Sequence, residues 1–152
     1  LSESIASWGV SMYWLGLILG RMTGGRLAHR IAPRPFTMLA ATLSALALVI
    51  LIAAPTSHLL ATAMVVLIGF GYGPIFPNMI AVGATRFPAD VGRMTSIVIA
   101  GGALGAIFVP WIMGHAMVAA TPRASMEFAL GVTAMMAIVS VLGLRGVLSP
   151  AA

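Results

Sequence analysis

The sequence contains no cysteine and no lysine, and its 152 residues include only three carboxylates, Glu3, Asp90 and Glu127. Without cysteine it can hold neither a disulfide framework nor a thiolate metal site. Without lysine it lacks the phosphate-binding loop that ends in Gly-Lys-Ser/Thr, and it has no Gly-x-Ser-x-Gly or His-Glu-x-x-His pattern either. His29, His58 and His115 stand far apart in sequence with no ligand partner at metal spacing, so neither a metal nor a cofactor is expected. Polar side chains such as Ser11, Tyr72, Asn78 and Ser96 have no base or nucleophile beside them. An enzyme is not expected.

Charge of any kind is scarce, at 7% of residues, against 61% hydrophobic residues and a mean hydropathy of +1.09. No soluble core of this size hides so much apolar surface, so the chain belongs in a lipid bilayer. The net charge of +5 comes from arginines at the ends of apolar runs, and they form no continuous face. Chain topology explains them better than a nucleic-acid partner does.

Four of the eight arginines lie in one island, Arg21 to Arg34, between two apolar segments. Segments of about 20 apolar residues span a bilayer. Five are expected, at about 4–24, 36–54, 59–83, 92–118 and 126–148, designated A to E, which makes the fold class an all-α polytopic membrane bundle. Arg26, Arg30 and Arg34 between A and B, Arg86 and Arg93 around the C to D turn, and Arg145 after E outnumber Arg123 on the other side. Basic residues resist translocation, so the start of A is expected outside and the C-terminus in the cytoplasm.

The three carboxylates fall where helices are expected to begin, Glu3 beside Ser2, Asp90 before D, and Glu127 after Ser125 before E, as helix N-termini favour. None is left in mid-membrane. The chain opens at Leu1 with neither an initiator methionine nor a leader, and is expected to be a piece of a longer protein.

At about 100° per residue, segment A divides into two faces. Ser4, Ser7, Ser11, Trp14 and Arg21 share one; Gly9, Gly16, Gly20 and Gly24 share the other, where small residues at four-residue spacing let another helix approach. Segments C and D are expected to be broken. C carries Gly69-Phe70-Gly71-Tyr72-Gly73-Pro74-Ile75-Phe76-Pro77-Asn78, and D carries Gly101, Gly102, Gly105 and Pro110. Interrupted membrane helices point to a solute site at the midplane. B and E are bland, so A, C and D are expected to line a cavity and B and E to face lipid. Ser11, Gly16 and Gly20 in A recur at the same spacing as Ser96, Gly101 and Gly105 in D, which would make A-B and D-E an inverted repeat with C as a new first member.

The run Gly25-Arg26-Leu27-Ala28-His29-Arg30-Ile31-Ala32-Pro33-Arg34 resembles the basic signature loop of the major facilitator superfamily, Gly-x-Leu-Ala-Asp-Arg-x-Gly-x-Arg, in its second copy between the eighth and ninth of twelve helices. His29 stands for the usual Asp and Ala32 for the usual Gly. The strings in C and D, with Gly114, are similar to the tenth and eleventh helices of the fucose permease-like branch. The resemblance implies that A to E are helices eight to twelve of a secondary transporter, and that the N-terminal half and one further helix lie outside this sequence. It also implies a substrate cavity between the two halves, alternating access by their rocking, and protonatable carboxylates in the other half. Arg21, Gly25, Arg26, Arg30, Arg34, Asp90 and Arg93 then belong to the cytoplasmic gate, with part of their pairing in the other half.

The expected function is therefore transport of a small polar solute with proton coupling. Ser11, Trp14, Tyr72, Phe76, Asn78 and Ser96 are the lining residues, and no charge lies between the helix ends. Hydroxyl and amide side chains with aromatic rings suit a sugar. Gly16, Gly20, Gly24, Gly73, Pro74, Pro77, Gly101, Gly105 and Pro110 are expected to serve helix packing and kinks. The expected partners are the bilayer, the solute and the rest of the transporter, with the bacterial inner membrane as its place. A carrier of a drug or organic anion, and a membrane-embedded assembly subunit using its glycine faces, are the alternatives.

Overall fold

The computed structural model describes residues 3–27, 30–53 and 57–143. All regular elements among them are helices: α1 (Glu3–Leu27), α2 (Pro33–Ala53), α3 (His58–Tyr72), α4 (Ile75–Arg86), α5 (Val91–Ala119) and α6 (Pro122–Gly143). Segments 35–53, 58–86, 91–119 and 122–140 are long and apolar enough to cross a membrane. With 25 residues, α1 is long enough, roughly 37 Å. It is less apolar, because its sequence includes three serines, five glycines and Arg21.

Segment C is interrupted as expected: α3 ends where the Gly73 amide donates to the Gly69 carbonyl, and α4 restarts where the Asn78 amide donates to the Pro74 carbonyl. Pro74 and Pro77, three residues apart, together withhold two backbone donors from one turn. Segment D is not broken. One helix runs from Val91 to Ala119 with Pro110 inside it, since a single proline forfeits one bond of the ladder and a membrane helix bridges that locally.

Helix starts differ in detail from the expectation. Asp90 holds the N-cap position of α5 but its side chain makes no capping bond. Segment E begins four residues earlier than expected. The Thr121 hydroxyl accepts from the Ala124 amide at 3.1 Å, Pro122 takes the first helical position, and Ser125 is buried within the first turn. Glu127 pairs with Arg123 one turn back at 2.9 Å. Ser57 caps α3 by accepting from Leu60. Leu1, Ser2, Ala54 and residues 144–148, included in the expected starts and spans, lie outside the described residues, as does Arg145.

The tightest packing joins α1 to α3. A Cβ on Gly16 would collide with the Val66 carbonyl, one on Gly20 with the Phe70 carbonyl and one on Gly24 with Pro74. Reciprocally, Gly69 lies against Tyr13 and Gly73 against Leu17. Because the paired numbers rise together, the two helices run parallel, backbone on backbone. On the other side of α3, Gly71 lies on Ala40 and Ser44 of α2. Expected to be an outer support, α2 is instead the best-covered helix: Phe36, Thr37, Ala40, Ala41, Ser44, Ala47 and Leu48 are buried, and α3 and α6 flank it. Alanine and hydroxyl side chains allow this close approach on two sides. By contrast α5 has no buried residue and packs chiefly on α4 and α6.

Candidate functional site

The parallel run of α1 with α3 and α4 brings the ends of α1 and α4 and the starts of α2 and α5 to one end of the bundle. Arg26, Arg30, Arg86, Asp90 and Arg93 gather there, all exposed. Arg86 lies over the Phe87 ring at 5.9 Å. Among the described residues the only ion pair is Arg123–Glu127, at the opposite end, so none of these groups has a charged partner among them. Gly25 is open. Ala28 and His29 of the loop lie outside the described residues, and so does the side chain of Arg34.

Just inside this end is a small crevice of about 110 Å³ lined by Arg21, Gly24, Phe36, Pro74, Pro77 and Asn78 among others. Arg21 sits about 9 Å before the end of α1 by helical rise. A Cβ on Gly73 would lie 2.8 Å from its amide nitrogen, and Gly73 is close to the middle of the 58–86 span. Arg21 is thus level with the break in C, deeper than its position in the basic island suggests. Among the described residues no carboxylate bonds it. Asn78 closes the crevice; it is buried and donates its amide to the Thr37 hydroxyl of α2.

Ser11 and Trp14 lie on the exposed face of α1 that also bears Arg21, away from the glycine face on α3. Phe76 is exposed on α4, with its ring 3.0 Å from where a Cβ on Gly102 of α5 would stand. Ser96 is exposed near the start of α5 and donates to the Gly92 carbonyl at 2.9 Å. Tyr72 points elsewhere: its hydroxyl bonds that of Thr133 on α6, beside an apolar cavity of about 440 Å³. The structure therefore joins Arg21 and Asn78, keeps Ser11 and Trp14 on the same open face of α1, and separates Tyr72 and Ser96 from them. Of the packing positions, Gly16, Gly20, Gly24 and Gly73 meet neighbouring helices, Pro110 lines the larger cavity, and Gly9, Gly101 and Gly105 face open space.

Three hydroxyls escaped the sequence reading. Thr37 and Thr133 receive the two polar groups of the broken span, and Ser44 donates to the Ile68 carbonyl at 3.2 Å. Their signal is a lone hydroxyl inside an otherwise Ala/Leu/Val helix, where a buried polar group needs a partner.

These features define a polytopic helical membrane protein with an interrupted helix beside an arginine-lined crevice. The chain belongs to the Major Facilitator Superfamily, whose sequence profile matches residues 1–151 and whose members are transporters rather than enzymes. It is 38% identical over 107 residues to the "Probable nitrate/nitrite transporter NarK2" of Mycobacterium tuberculosis, in strain CDC 1551 / Oshkosh and again in strain ATCC 25618 / H37Rv. That similarity covers 66% of this chain and 26% of each relative, so the chain spans only part of the relatives' length. No solved structure matches it.

Proposed function

We propose that the chain is the last five spans of a bacterial inner-membrane transporter that moves a small oxyanion of the nitrate or nitrite kind by alternating access. Residues 25–35, residues 84–92 and the C-terminus face the cytoplasm in this reading. The carrying observation is Arg21, a cation level with the break in C that no described carboxylate neutralises. A charge at such depth is costly and marks a solute or ion pathway. A planar guanidinium offers paired donors that match an oxyanion's oxygens. The relatives' name, a probable nitrate/nitrite transporter, agrees with that chemistry.

Arg21 would hold the anion from this side, with Ser11 and Trp14 on the same face of α1. Asn78 would keep the crevice open by its bond to Thr37, and Tyr72, Phe76 and Ser96 would bound the path. Arg26, Arg30, Arg34, Asp90 and Arg93 would form the cytoplasmic gate with the rest of the protein. A proton-coupled sugar carrier is the second reading, favoured by the exposed rings of Trp14 and Phe76, on which an apolar sugar face can lie. Uptake of labelled nitrate by the full-length protein in proteoliposomes, with nitrite, hexoses, amino acids and organic anions as competitors, separates the two. Competition by nitrite and not by hexoses supports the oxyanion reading, and the reverse overturns it.

A further inference from the structure

At the end of the bundle opposite the clustered arginines, α5 carries two rings on one face. Side chains four residues apart on a helix lie one above the other, and the imidazole of His115 rests on the indole of Trp111 with ring centroids 4.3 Å apart. His115 Nδ1 lies 2.9 Å from the Trp111 carbonyl oxygen. A carbonyl only accepts, so Nδ1 carries the hydrogen, and in the neutral ring the free lone pair belongs to Nε2. Both side chains are exposed. With Pro110, Gly114, Val118 and Ala119 they line a crevice of about 470 Å³.

Histidine is the side chain that ordinarily changes charge between about pH 5 and 8. A proton added at Nε2 leaves the Nδ1 bond and the ring contact in place, and it sets a cation against an indole, a ring that accommodates one. No side chain need move. Of the charged groups on the helices that α5 chiefly packs against, Arg123 and Glu127 of α6 pair with each other at 2.9 Å, and Arg86 of α4 lies at the basic end. On α5 itself Arg93 is roughly 33 Å away along the helix. Among the described residues of α4, α5 and α6, a protonated His115 is thus the one unbalanced charge at this end.

We infer that His115, with its tautomer fixed by the Trp111 carbonyl, is a proton-binding site at the outer mouth of the transporter, and that its charge draws the anion in as the outside medium acidifies. The role in entry rests on the oxyanion reading; the proton site does not. An unbalanced charge beside a crevice raises the local concentration of counter-ions and their rate of encounter. Arg21 holds the solute and His115 acts before it, so the effect of His115 belongs in KM and weakens with salt.

The test has two readouts on the full-length protein. An imidazolium in ring contact quenches indole fluorescence more strongly than neutral imidazole does, so tryptophan emission of the protein in bilayer discs is titrated from about pH 8 to 5. Part of the fall in emission is expected to disappear in both His115→Gln and Trp111→Phe, and none of it in His58→Gln. Equal titrations of wild type and His115→Gln overturn the proton site. In right-side-out vesicles, the KM for labelled nitrate is expected to fall several-fold as the outside is acidified, and to change far less in His115→Gln. A KM profile that His115→Gln leaves unchanged overturns the role in entry, whatever the fluorescence shows. If the folded wild type takes up no nitrate at any pH, the oxyanion reading and the role in entry fall together, and the fluorescence still decides the proton site.

Discussion

Gly16 of α1 rests against the backbone carbonyl of Val66 in α3 with no room for a methyl group between them. The same relation recurs one turn on between Gly20 and Phe70, so the interface is a pair of parallel helices in backbone contact. Gly20→Leu should therefore destabilise the folded protein by at least roughly 1–3 kcal/mol, the range for overpacking. Gly9→Leu and Gly25→Leu, where a Cβ meets nothing within 4 Å, should change it far less. Reversible unfolding of the purified full-length protein in mixed micelles measures this, and equal effects at Gly20 and Gly9 would contradict the packing.

The Asn78–Thr37 and Tyr72–Thr133 bonds fasten the two sides of the break to α2 and α6 respectively. Interhelical hydrogen bonds within membranes are worth about 0.6 kcal/mol on average and up to about 1.7. Double-mutant cycles with Asn78→Ala and Thr37→Val, and with Tyr72→Phe and Thr133→Val, should give coupling energies in that range. Coupling indistinguishable from zero in both cycles would mean that neither bond holds the break.

Much of this architecture is legible in the sequence because it rests on simple periodicities. Apolar runs ending in arginine mark the spans, and four-residue spacing places Gly16, Gly20 and Gly24 on one face. Gly9 shares that face in sequence but not in contact. The register that pairs Gly16 with Val66 sets Gly9 beside residue 59, in the first turn of α3, where little of the partner helix remains. The central place of α2 was not legible, since a helix buried among other helices and one facing lipid are both apolar. Only the lone hydroxyls of Thr37 and Ser44 distinguish it. The continuity of α5 was misread because glycines and a proline look like a break, yet a break needed Pro74 and Pro77 in a single turn. The crevice was missed because Arg21 and Asn78 come together through the α1 and α3 register, which no local pattern encodes.

The proposed topology rests on the basic end of the bundle. Single cysteines in residues 25–35 or 84–92 should resist an impermeant reagent applied outside intact cells, and one beside His58 should react. Labelling of the Arg26 to Arg30 region from outside would invert the arrangement.

Arg30 is exposed and has no charged partner among the described residues. If it pairs with the remainder of the transporter at the cytoplasmic gate, Arg30→Ala should lower the transport rate several-fold and leave solute affinity close to wild type. Separate kcat and KM values from proteoliposome uptake decide this. A change confined to KM would remove the gating role.

The most direct measurement is uptake of labelled nitrate by the full-length protein, wild type against Arg21→Ala and Arg21→Lys, with folding checked by size-exclusion profile. A hydrogen-bonded charge contributes about 1.5–3 kcal/mol, roughly 10- to 100-fold in binding. The account predicts nitrate uptake by the wild type, a loss of that size in Arg21→Ala, and partial recovery in Arg21→Lys, which restores the charge without the paired donors. Nitrate uptake that is absent in the folded wild type, or unchanged in Arg21→Ala, would contradict it.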